Sequence, residues 1–403
     1  MNQKTKGERF MRKTIGSSIL AMGLMAGMAA TALAQDVQGV SDTEIVIGSN
    51  GDLSGVFAPF NVQAIKAAQL NFEGVNAAGG IHGRKIKFVV EDHGYQVPKA
   101  QQNFNKLVNS DKVFAMILNL GTPHNIAGFQ IMEPKKIANV SPLTAARQMI
   151  EGDITFKYTG TSSYYDQLKA GVEYLAKEKG AKEICAMYFP SDFGLEVFEG
   201  AKEKAEELGL KYAAETQHRP DEQDFVGSLT KLREAGCDVV ATAVGVRQTI
   251  IILGTAKKLG WTDVSFIGGS AGFNTAVAKV PEGITEGYYA AAGWSDLENR
   301  MAEPELKAWA ESFQAKFNEA PGTAAQLGYG ASNTLIKALE AAGKDLTPES
   351  FQKGMESLAF KDAINDAEVK YGANDHQGAD VIVISQIKGG KWIEVARMAE
   401  AKK

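Results

Sequence analysis

The sequence predicts an α/β protein with two doubly wound lobes, each built around a parallel sheet. From Ile45 onwards, short apolar runs alternate with segments in which apolar residues recur every three to four positions. The alternation restarts after residues 156–159, so the chain carries two successive sets of strands and helices. Strands that alternate with helices form parallel sheets covered by helices on both faces. Two such sets therefore predict two similar lobes.

The first set of predicted elements lies before residue 160. Strands are expected at residues 45–48, 86–90, 113–118 and 137–140, and helices at residues 61–77, 98–108 and 123–132. Gly79 and Gly80 follow the first helix, as is typical of a helix that stops at glycine.

The second set continues to residue 292, and a helical region and a hairpin follow it. Helices are expected at residues 165–179, 193–208, 225–235 and 249–259, and strands at residues 183–188, 211–216, 238–244, 265–268 and 287–292. Three helices, at residues 305–317, 324–341 and 348–358, have no strands between them, so they should cover an existing lobe. A C-terminal hairpin is predicted from two strand-like runs that are joined through Gly389-Gly390, at residues 379–386 and 392–395.

The N-terminus has the pattern of a secretion signal. Five basic residues precede an apolar run over residues 15–30, and Ala32-Leu33-Ala34 fits the small-x-small cleavage rule. We expect residues 1–34 to be removed, which would make Gln35 the first residue of an exported, soluble protein. The apolar run is short for a transmembrane anchor.

Charge and length narrow the classes of function. Removing residues 1–34 takes away five basic residues and one acidic residue, so the formal charge moves from −5 to −9. This acidic balance argues against nucleic acid or an anionic membrane surface as a partner. The remaining 369 residues exceed one ordinary core and predict two domains.

Cysteine and histidine give no indication of a metal or a cofactor. Cys185 and Cys237 lie in or beside apolar strand-like runs, and the sequence leaves open whether they pair or stay as buried thiols. The five histidines show no metal-ligand spacing. We expect neither a metal nor another cofactor.

Residues 113–130 predict a site for a small anion. A continuous apolar run ends at Asn119-Leu120-Gly121 and is followed by Thr122 and Pro123. Threonine is a favoured N-cap and proline a favoured first helical residue, so the pattern predicts a strand, a tight glycine turn and a helix. A helix N-terminus at the carboxyl end of a parallel strand can hold a carboxylate. The alternative is an ordinary strand-to-helix turn without a ligand.

Other motifs do not support catalysis. The segment Gly79-Gly80-Ile81-His82-Gly83 follows a helix and precedes a strand, whereas a dinucleotide loop follows a strand and opens a helix. Asp192-Phe193-Gly194 lacks the companion motifs of a kinase. Asp52, Ser54 and His93 form no recognisable hydrolytic arrangement. We therefore expect a protein that is not an enzyme.

Aromatic residues gather after predicted strands and near the lobe crossings. Each one alone is more often part of a core, but the set fits an aromatic-lined cleft. The set comprises Phe60, Tyr95, Tyr164, Tyr165, Phe193 and Trp294.

Several segments together resemble one family. They are Gly51-Asp52-Leu53-Ser54-Gly55, Asn76-Ala77-Ala78-Gly79-Gly80-Ile81-His82-Gly83, Ser141-Pro142 and Asp192-Phe193-Gly194. The chain resembles the leucine/isoleucine/valine-binding type of periplasmic solute-binding protein, the receptor of an ABC importer. The resemblance covers nearly all of the mature chain.

This resemblance implies a type I periplasmic-binding fold with a ligand enclosed between two lobes. Lobe 1 would comprise residues 41–160 and 291–370, and lobe 2 residues 161–290 and 371–403, joined by a three-segment hinge. It also implies a periplasmic monomer that works with a permease and an ATPase in the inner membrane.

The resemblance further implies a set of ligand contacts. Leu120, Gly121 and Thr122 match the family loop that holds the ligand carboxylate through backbone amides and a hydroxyl. Residues 141–145 match the loop that supplies a carbonyl and a hydroxyl to the ligand ammonium; Leu143 and Thr144 are the candidates, since the usual hydroxyl position falls on Ala145. The remaining candidates are Phe60, Tyr165, Phe193, Gly245 and Ser270.

Ser270 departs from the family pattern, because the position normally holds the Glu that pairs with the ammonium. A buried ammonium without a countercharge costs several kcal/mol. The departure favours a carboxylate with an apolar or aromatic body that is not an amino acid, unless Asp166, Glu196 or Asp296 supplies the charge. Three interpretations of function remain open. The first is a receptor of a branched-chain or hydrophobic amino-acid-type importer, the second is a same-fold receptor for another organic acid or amide, and the third is a ligand sensor without a transport partner.

Overall fold

The computed structural model describes residues 37–399 and contains two large sheets. The predicted signal segment, residues 1–34, lies outside the described residues. The strands are β1 (Glu44–Gly51), β2 (Lys85–Asp92), β3 (Ala115–Ile117), β4 (Ala138–Val140), β5 (Lys157–Tyr158), β6 (Glu183–Tyr188), β7 (Lys211–Gln217), β8 (Val239–Ala243), β9 (Ser265–Gly268), β10 (Tyr289–Ala292), β11 (Ala359–Asp362), β12 (Ala367–Lys370), β13 (Val381–Lys388) and β14 (Lys391–Ala399). The α-helices are α1 (Ala58–Ala77), α2 (Val97–Asn105), α3 (Thr122–Met132), α4 (Tyr164–Lys179), α5 (Asp192–Glu207), α6 (Val226–Glu234), α7 (Val246–Lys258), α8 (Thr275–Ala278), α9 (Pro304–Phe317), α10 (Thr323–Ala342) and α11 (Pro348–Glu356).

The first sheet is parallel throughout and has the order β2-β1-β3-β4-β5. Its central strand β3 is buried on both faces, which explains its continuous apolar sequence. Helix α10 packs closely on α1, since a Cβ at Gly328 would lie 2.1 Å from the carbonyl oxygen of Ala64. Helix α11 packs in turn on α10. The prediction that the late helices cover an existing lobe is therefore confirmed for α10 and α11.

The second sheet has seven strands in the order β14-β13-β10-β9-β8-β6-β7. The strands from β6 to β10 pair in parallel, and the C-terminal hairpin adds β13 and β14 in antiparallel orientation. Gly389 and Gly390 both have positive φ angles at the hairpin turn, a conformation that glycine adopts without strain. The predicted hairpin is confirmed, and the α/β class with two mainly parallel sheets is confirmed with it.

A small third sheet was not predicted from the sequence. Strands β11 and β12 form an antiparallel hairpin next to α11, which ends at Glu356 rather than at residue 358. Each strand has only four residues, and charged side chains occupy alternate positions in β12. Such short segments give almost no periodicity signal.

A disulfide links Cys185 and Cys237, whose Cα atoms lie 5.8 Å apart. Both residues are buried. Cys185 is in the first half of β6, and Cys237 precedes β8, the strand that pairs with β6. The bridge therefore fixes the edge of the second sheet at which its parallel strands begin. Within residues 37–399, no helix combines the length and the apolar character that crossing a bilayer requires.

A candidate ligand-binding cleft

The turn between β3 and α3 differs from the prediction by one residue. Gly121 precedes the helix with a φ of 95°, and Thr122 is already helical, so the prediction that the Thr122 side chain caps the helix is wrong. A Cβ at Gly121 would lie 2.3 Å from Nδ1 of His124, which explains why glycine occupies this position. The Thr122 hydroxyl instead forms a 2.6 Å hydrogen bond with the hydroxyl of Thr144.

The amides of this turn are not equally available to a ligand. The Leu120 amide donates to the Asn50 carbonyl over 3.0 Å, and the Gly121 amide donates to the Leu143 carbonyl over 3.3 Å. The Thr122 amide has no hydrogen-bond partner in the part of the chain that the structure describes. A carboxylate at this turn would therefore use the amide and the hydroxyl of Thr122.

A network of buried asparagines fixes the loops behind the turn. Asn119 accepts a hydrogen bond from the Asn50 amide and donates to Oδ1 of Asn139, each over 2.8 Å. Asn139 donates to Asn125, which donates to the carbonyl of Gly121 over 2.8 Å. The network joins the ends of β1, β3 and β4 to the start of α3. Sequence reasoning missed it, although Asn50, Asn119 and Asn139 all lie within or just after strands.

Two buried histidines support the same turn from behind. The rings of His93 and His124 stack with their centres 4.3 Å apart. Nδ1 of His93 accepts the Tyr95 amide, so Nε2 donates to the Leu120 carbonyl over 3.2 Å. Burial lowers the pKa of His93 to about 3, with a further contribution from His124, and burial lowers the pKa of His124 to about 4. Both rings are therefore neutral at physiological pH.

Four hydroxyl groups from both halves of the molecule meet in front of the turn. Thr122 and Thr144 come from the loops after β3 and β4, Tyr164 begins α4, and Ser270 follows β9. Burial raises the pKa of Tyr164 to about 12, against the effect of hydrogen bonds that involve Thr144 and Ser270. We call these four residues the hydroxyl cluster.

Aromatic side chains from both halves close over the cleft. Phe57 packs at 4.8 Å from Tyr95 and edge-on at 5.8 Å from Phe193, measured between ring centres. Phe193 also contacts Tyr164, with ring centres 5.1 Å apart. The two halves are therefore in contact across the cleft in this structure. Trp294 also lines the cleft, and its Nε1 has no partner among residues 37–399.

The cleft brings together eight of the ten predicted contact residues. They are Phe60, Leu120, Gly121, Thr122, Leu143, Thr144, Phe193 and Ser270. Tyr165 points elsewhere, and its neighbour Tyr164 lines the cleft instead. Gly245 precedes α7 and is also absent from the lining; a Cβ there would lie 3.2 Å from Cβ of Val56. That these residues bind a ligand remains a prediction.

Arg147 forms a clasp beside the cleft. Its guanidinium donates to Glu196 over 2.7 Å and to Glu199 over 2.6 Å, and its carbon lies 3.9 Å from the ring centre of Tyr165. Arg147 lies between β4 and β5 of the first sheet, whereas its partners are on α4 and α5 beside the second sheet. Glu196 is only 1% exposed, and burial raises its pKa against the effect of Arg147.

The acidic residues considered as ammonium partners do not line the cleft. Glu196 is engaged by Arg147, Asp166 accepts a hydrogen bond from Ser163 at the start of α4, and Asp296 lies beside the short helix after β10. Among the described lining residues, Asp362 is the one carboxylate. It belongs to the β11–β12 hairpin, together with Asn365, and faces the part of the cleft lined by α10.

The cleft has an empty volume of about 1020 Å³ with its open mouth included. Two α/β bodies whose strand ends and helix N-termini face such a cleft define a ligand-binding protein of the periplasmic type. The chain belongs to the periplasmic binding protein family, whose model matches residues 44–391.

Comparisons with known proteins agree with this family. The Leu/Ile/Val-binding protein homolog 8 of Brucella abortus (strain 2308) is 24% identical over 403 residues, with 96% of each chain covered. A fatty acid ABC transporter substrate-binding protein from Thermomonospora curvata has a TM-score of 0.82 and 26% identity, over 92% of this chain and 95% of the other. A branched-chain amino acid ABC transporter protein from Thermus thermophilus with bound valine has a TM-score of 0.81 and 20% identity, over 90% of this chain and 98% of the other. The family and these relatives are binding proteins, not enzymes.

Proposed function

We propose that the chain is the substrate-binding receptor of an ABC importer and that it encloses a small carboxylate with an apolar or aromatic body. The carboxylate would accept hydrogen bonds from the Thr122 amide, at the N-terminus of α3, and from the hydroxyl cluster. A helix N-terminus favours a negative charge. The aromatic side chains around Phe57 and Phe193 would surround the apolar body.

One observation carries the choice of ligand. The hydroxyl cluster has hydrogen-bond donors for a carboxylate, yet among residues 37–399 no carboxylate lines that end of the cleft. By the resemblance, Ser270 stands where the family's ammonium-pairing Glu is expected, and it contributes a hydroxyl instead. A neutral hydroxyl there does not offset the free-energy cost of removing an ammonium group from water. The fatty acid receptor from Thermomonospora curvata is consistent with a family member whose ligand lacks an amino group.

A second candidate is an amino-acid receptor, in line with the Leu/Ile/Val-binding name of the Brucella relative. It requires a carboxylate to reach the ammonium after movement of the cleft walls. Backbone carbonyls of the 141–145 loop could contribute, but they carry only partial charge.

The proposed receptor would close by hinge rotation between the two predicted lobes, residues 41–160 plus 291–370 and residues 161–290 plus 371–403. The composition of the sheets supports this division, because β1–β5 form one sheet and β6–β10 with β13 and β14 form the other. Phe57 and Arg147 contact α5 across the boundary, as expected of closed lobes. Ligand binding would shift the equilibrium towards this closed arrangement.

We further propose that the receptor is a periplasmic monomer that delivers its ligand to a permease and ATPase of the inner membrane. The family assignment supports this setting. A permease and an ATPase encoded next to the gene would support a role in transport rather than a role as a ligand sensor without a transport partner.

The test is a thermal-shift screen followed by calorimetric titration. Leucine, valine and phenylalanine would be compared with the corresponding acids that lack the amino group, and with benzoate. A ligand at 100 times its dissociation constant stabilises a protein by about 2.7 kcal/mol. We expect the acids to stabilise the protein and the amino acids to have little effect.

The variant Thr122→Ala identifies the site, and Thr43→Ala is its control because Thr43 is exposed and remote from the cleft lining. Loss of a hydrogen bond to a charged group should weaken acid binding by about tenfold or more. Stabilisation by the amino acids alone, or unchanged acid affinity in Thr122→Ala, would contradict the proposal.

A further inference from the structure

The cleft continues beyond the hydroxyl cluster into a second part, which we call the arm. One wall of the arm is a single face of α10, since its lining residues follow the spacing i, i+3, i+4, i+7 from Leu327. The opposite wall is the β11–β12 hairpin and the residue that follows it. The arm residues are Leu327, Gly330, Ala331, Thr334, Asp362, Asn365, Ala367, Val369 and Tyr371.

The side walls of the arm suit a narrow apolar chain. Leu327 and Ala331 on α10 and Val369 on β12 present aliphatic surface, and Ala331 is small. At Gly330 a Cβ would lie 2.3 Å from Nδ2 of Asn365, so the helix and the hairpin approach closely at that point.

Polar groups gather in the hairpin turn of the arm. Asp362 is 2% exposed; its Oδ1 accepts the amides of Ile364 and Asn365, and its Oδ2 accepts Nδ2 of Asn365 over 2.6 Å. These hydrogen bonds account for the burial of Asp362, because its carboxylate holds the hairpin turn in shape. They also fix which end of the Asn365 amide faces Asp362.

The other end of that amide is left without a partner. Asn365 is 9% exposed, and its Oδ1 accepts no hydrogen bond from any of residues 37–399. Buried polar atoms are normally hydrogen-bonded, and shaping the turn does not account for this oxygen. Because Asn365 and the adjacent Asp362 both line the arm, the missing partner can come from a ligand. The unpaired Asn365 oxygen is an acceptor, so the ligand group that reaches it must be a donor.

We propose that the arm binds the far end of an elongated ligand, and that this end carries a hydrogen-bond donor such as a hydroxyl or an ammonium group. The inference rests on the proposed function, because the carboxylate at the near end occupies the hydroxyl cluster. The ligand class is an unbranched carboxylate with a donor at its opposite end. Asn365, held in place by Asp362, selects the donor, and the walls around Ala331 accommodate the chain between the two ends.

The test compares ligand pairs of equal length by calorimetry on the purified protein. Each pair has the same carboxylate and chain, but one member ends in a methyl and the other in a hydroxyl. The pairs run from butanoate and 3-hydroxypropanoate, through heptanoate and 6-hydroxyhexanoate, to nonanoate and 8-hydroxyoctanoate, with 6-aminohexanoate as the cationic member. The series finds the length that spans the cleft.

Two variants assign any preference to the arm. Asn365→Leu removes the unpaired oxygen at similar volume, together with the Nδ2 donor to Asp362, and should abolish discrimination between the members of a pair. Ala331→Leu narrows the arm and should weaken binding of the long ligands by a larger factor than binding of butanoate. Ala341→Leu is the control for the second variant, because Ala341 is exposed on the same helix. Circular dichroism and melting temperature check that each variant is folded.

We expect one hydroxyl-terminated or amino-terminated ligand to bind at least about tenfold more tightly than its methyl-terminated partner, as for one hydrogen bond in a desolvated site. Equal affinities within every pair, or tighter binding of the methyl-terminated member, would overturn the arm site and leave the proposed function standing. Failure of every carboxylate to bind, including the branched and aromatic acids of the first screen, would overturn both proposals.

Discussion

The two edges of the parallel sheets are stabilised by different means. At the cleft edge of the first sheet, where strands end, the loops depend on buried asparagines and on neutral histidines. At the opposite edge of the second sheet, where strands begin, a disulfide joins β6 to Cys237, two residues before β8. Hydrogen-bond networks position groups but require every member to be satisfied. A covalent link away from the cleft needs no such matching. The comparison indicates that stability and ligand binding can be changed separately.

The largest expected effect concerns the disulfide. Replacing both Cys185 and Cys237 by alanine should lower the free energy of unfolding by about 4 kcal/mol, because the bridge closes a loop of 52 residues. Ligand affinity should stay within about twofold, because neither residue lines the cleft. Chemical denaturation and calorimetry of the same variant measure the two quantities. A loss of affinity comparable to the loss of stability would show that the two edges are not independent.

The next effect concerns pH and acts at the cleft edge. His93 and His124 have folded-state pKa values of about 3 and about 4, below the value of 6.5 expected when unfolded. As the pH falls, the unfolded chain therefore binds protons before the folded chain does. The stability that the two neutral histidines contribute is lost as the pH falls from about 6.5 towards 4. Each histidine accounts for up to about 1.4 kcal/mol per pH unit, or roughly 3 kcal/mol by pH 4.

His124→Phe isolates this effect because it retains an aromatic ring against His93 but cannot be protonated. The slope of unfolding free energy against pH between 6 and 4 should fall by about 1.4 kcal/mol per pH unit, which corresponds to one bound proton fewer. The exposed His82 provides the control, as His82→Asn; its φ of 49° suits asparagine. An unchanged slope in His124→Phe would mean that His124 is already protonated in the folded protein.

The same comparison shows what the sequence could and could not predict. Strands β6 and β9 have the predicted boundaries because each contains a continuous apolar run. The turn at Gly121 was predicted from its residue types, but the partner of the Thr122 hydroxyl was not, since Thr144 lies 22 residues away. Local patterns determine turns, whereas contacts between loops depend on the register of the sheet.

The choice between Tyr164 and Tyr165 illustrates a second limit. Adjacent residues on a helix project about 100° apart, so a one-residue error at the start of α4 selects the wrong side chain. Ser163, whose side chain accepts the Asp166 amide, was the signal for the correct start. The arm was missed because strands β11 and β12, with four residues each, are too short for any alternation to be distinguished from chance, and Asn365 reaches the cleft only through their pairing.

The smallest expected effect lies between the two bodies, at the Arg147 clasp. Under the proposed closure, Glu196 is buried against Arg147 in the closed state and regains water when the lobes separate. Arg147→Ala leaves a buried carboxylate without its partner, and this cost falls on the closed state. Because opening relieves it, the variant should populate the open state more and bind ligand about tenfold more weakly. Its melting temperature without ligand should change little.

A second substitution tests whether the clasp acts through closure or through the ligand. Glu196→Gln combined with Arg147→Ala removes the unpaired charge, so it should restore much of the lost affinity although Arg147 is absent. Small-angle scattering without ligand should show a more extended average shape for Arg147→Ala alone than for the double variant. If the double variant binds as weakly as Arg147→Ala, the guanidinium itself contributes to the ligand site. Control of binding would then lie in the cleft lining rather than in the balance between the two bodies.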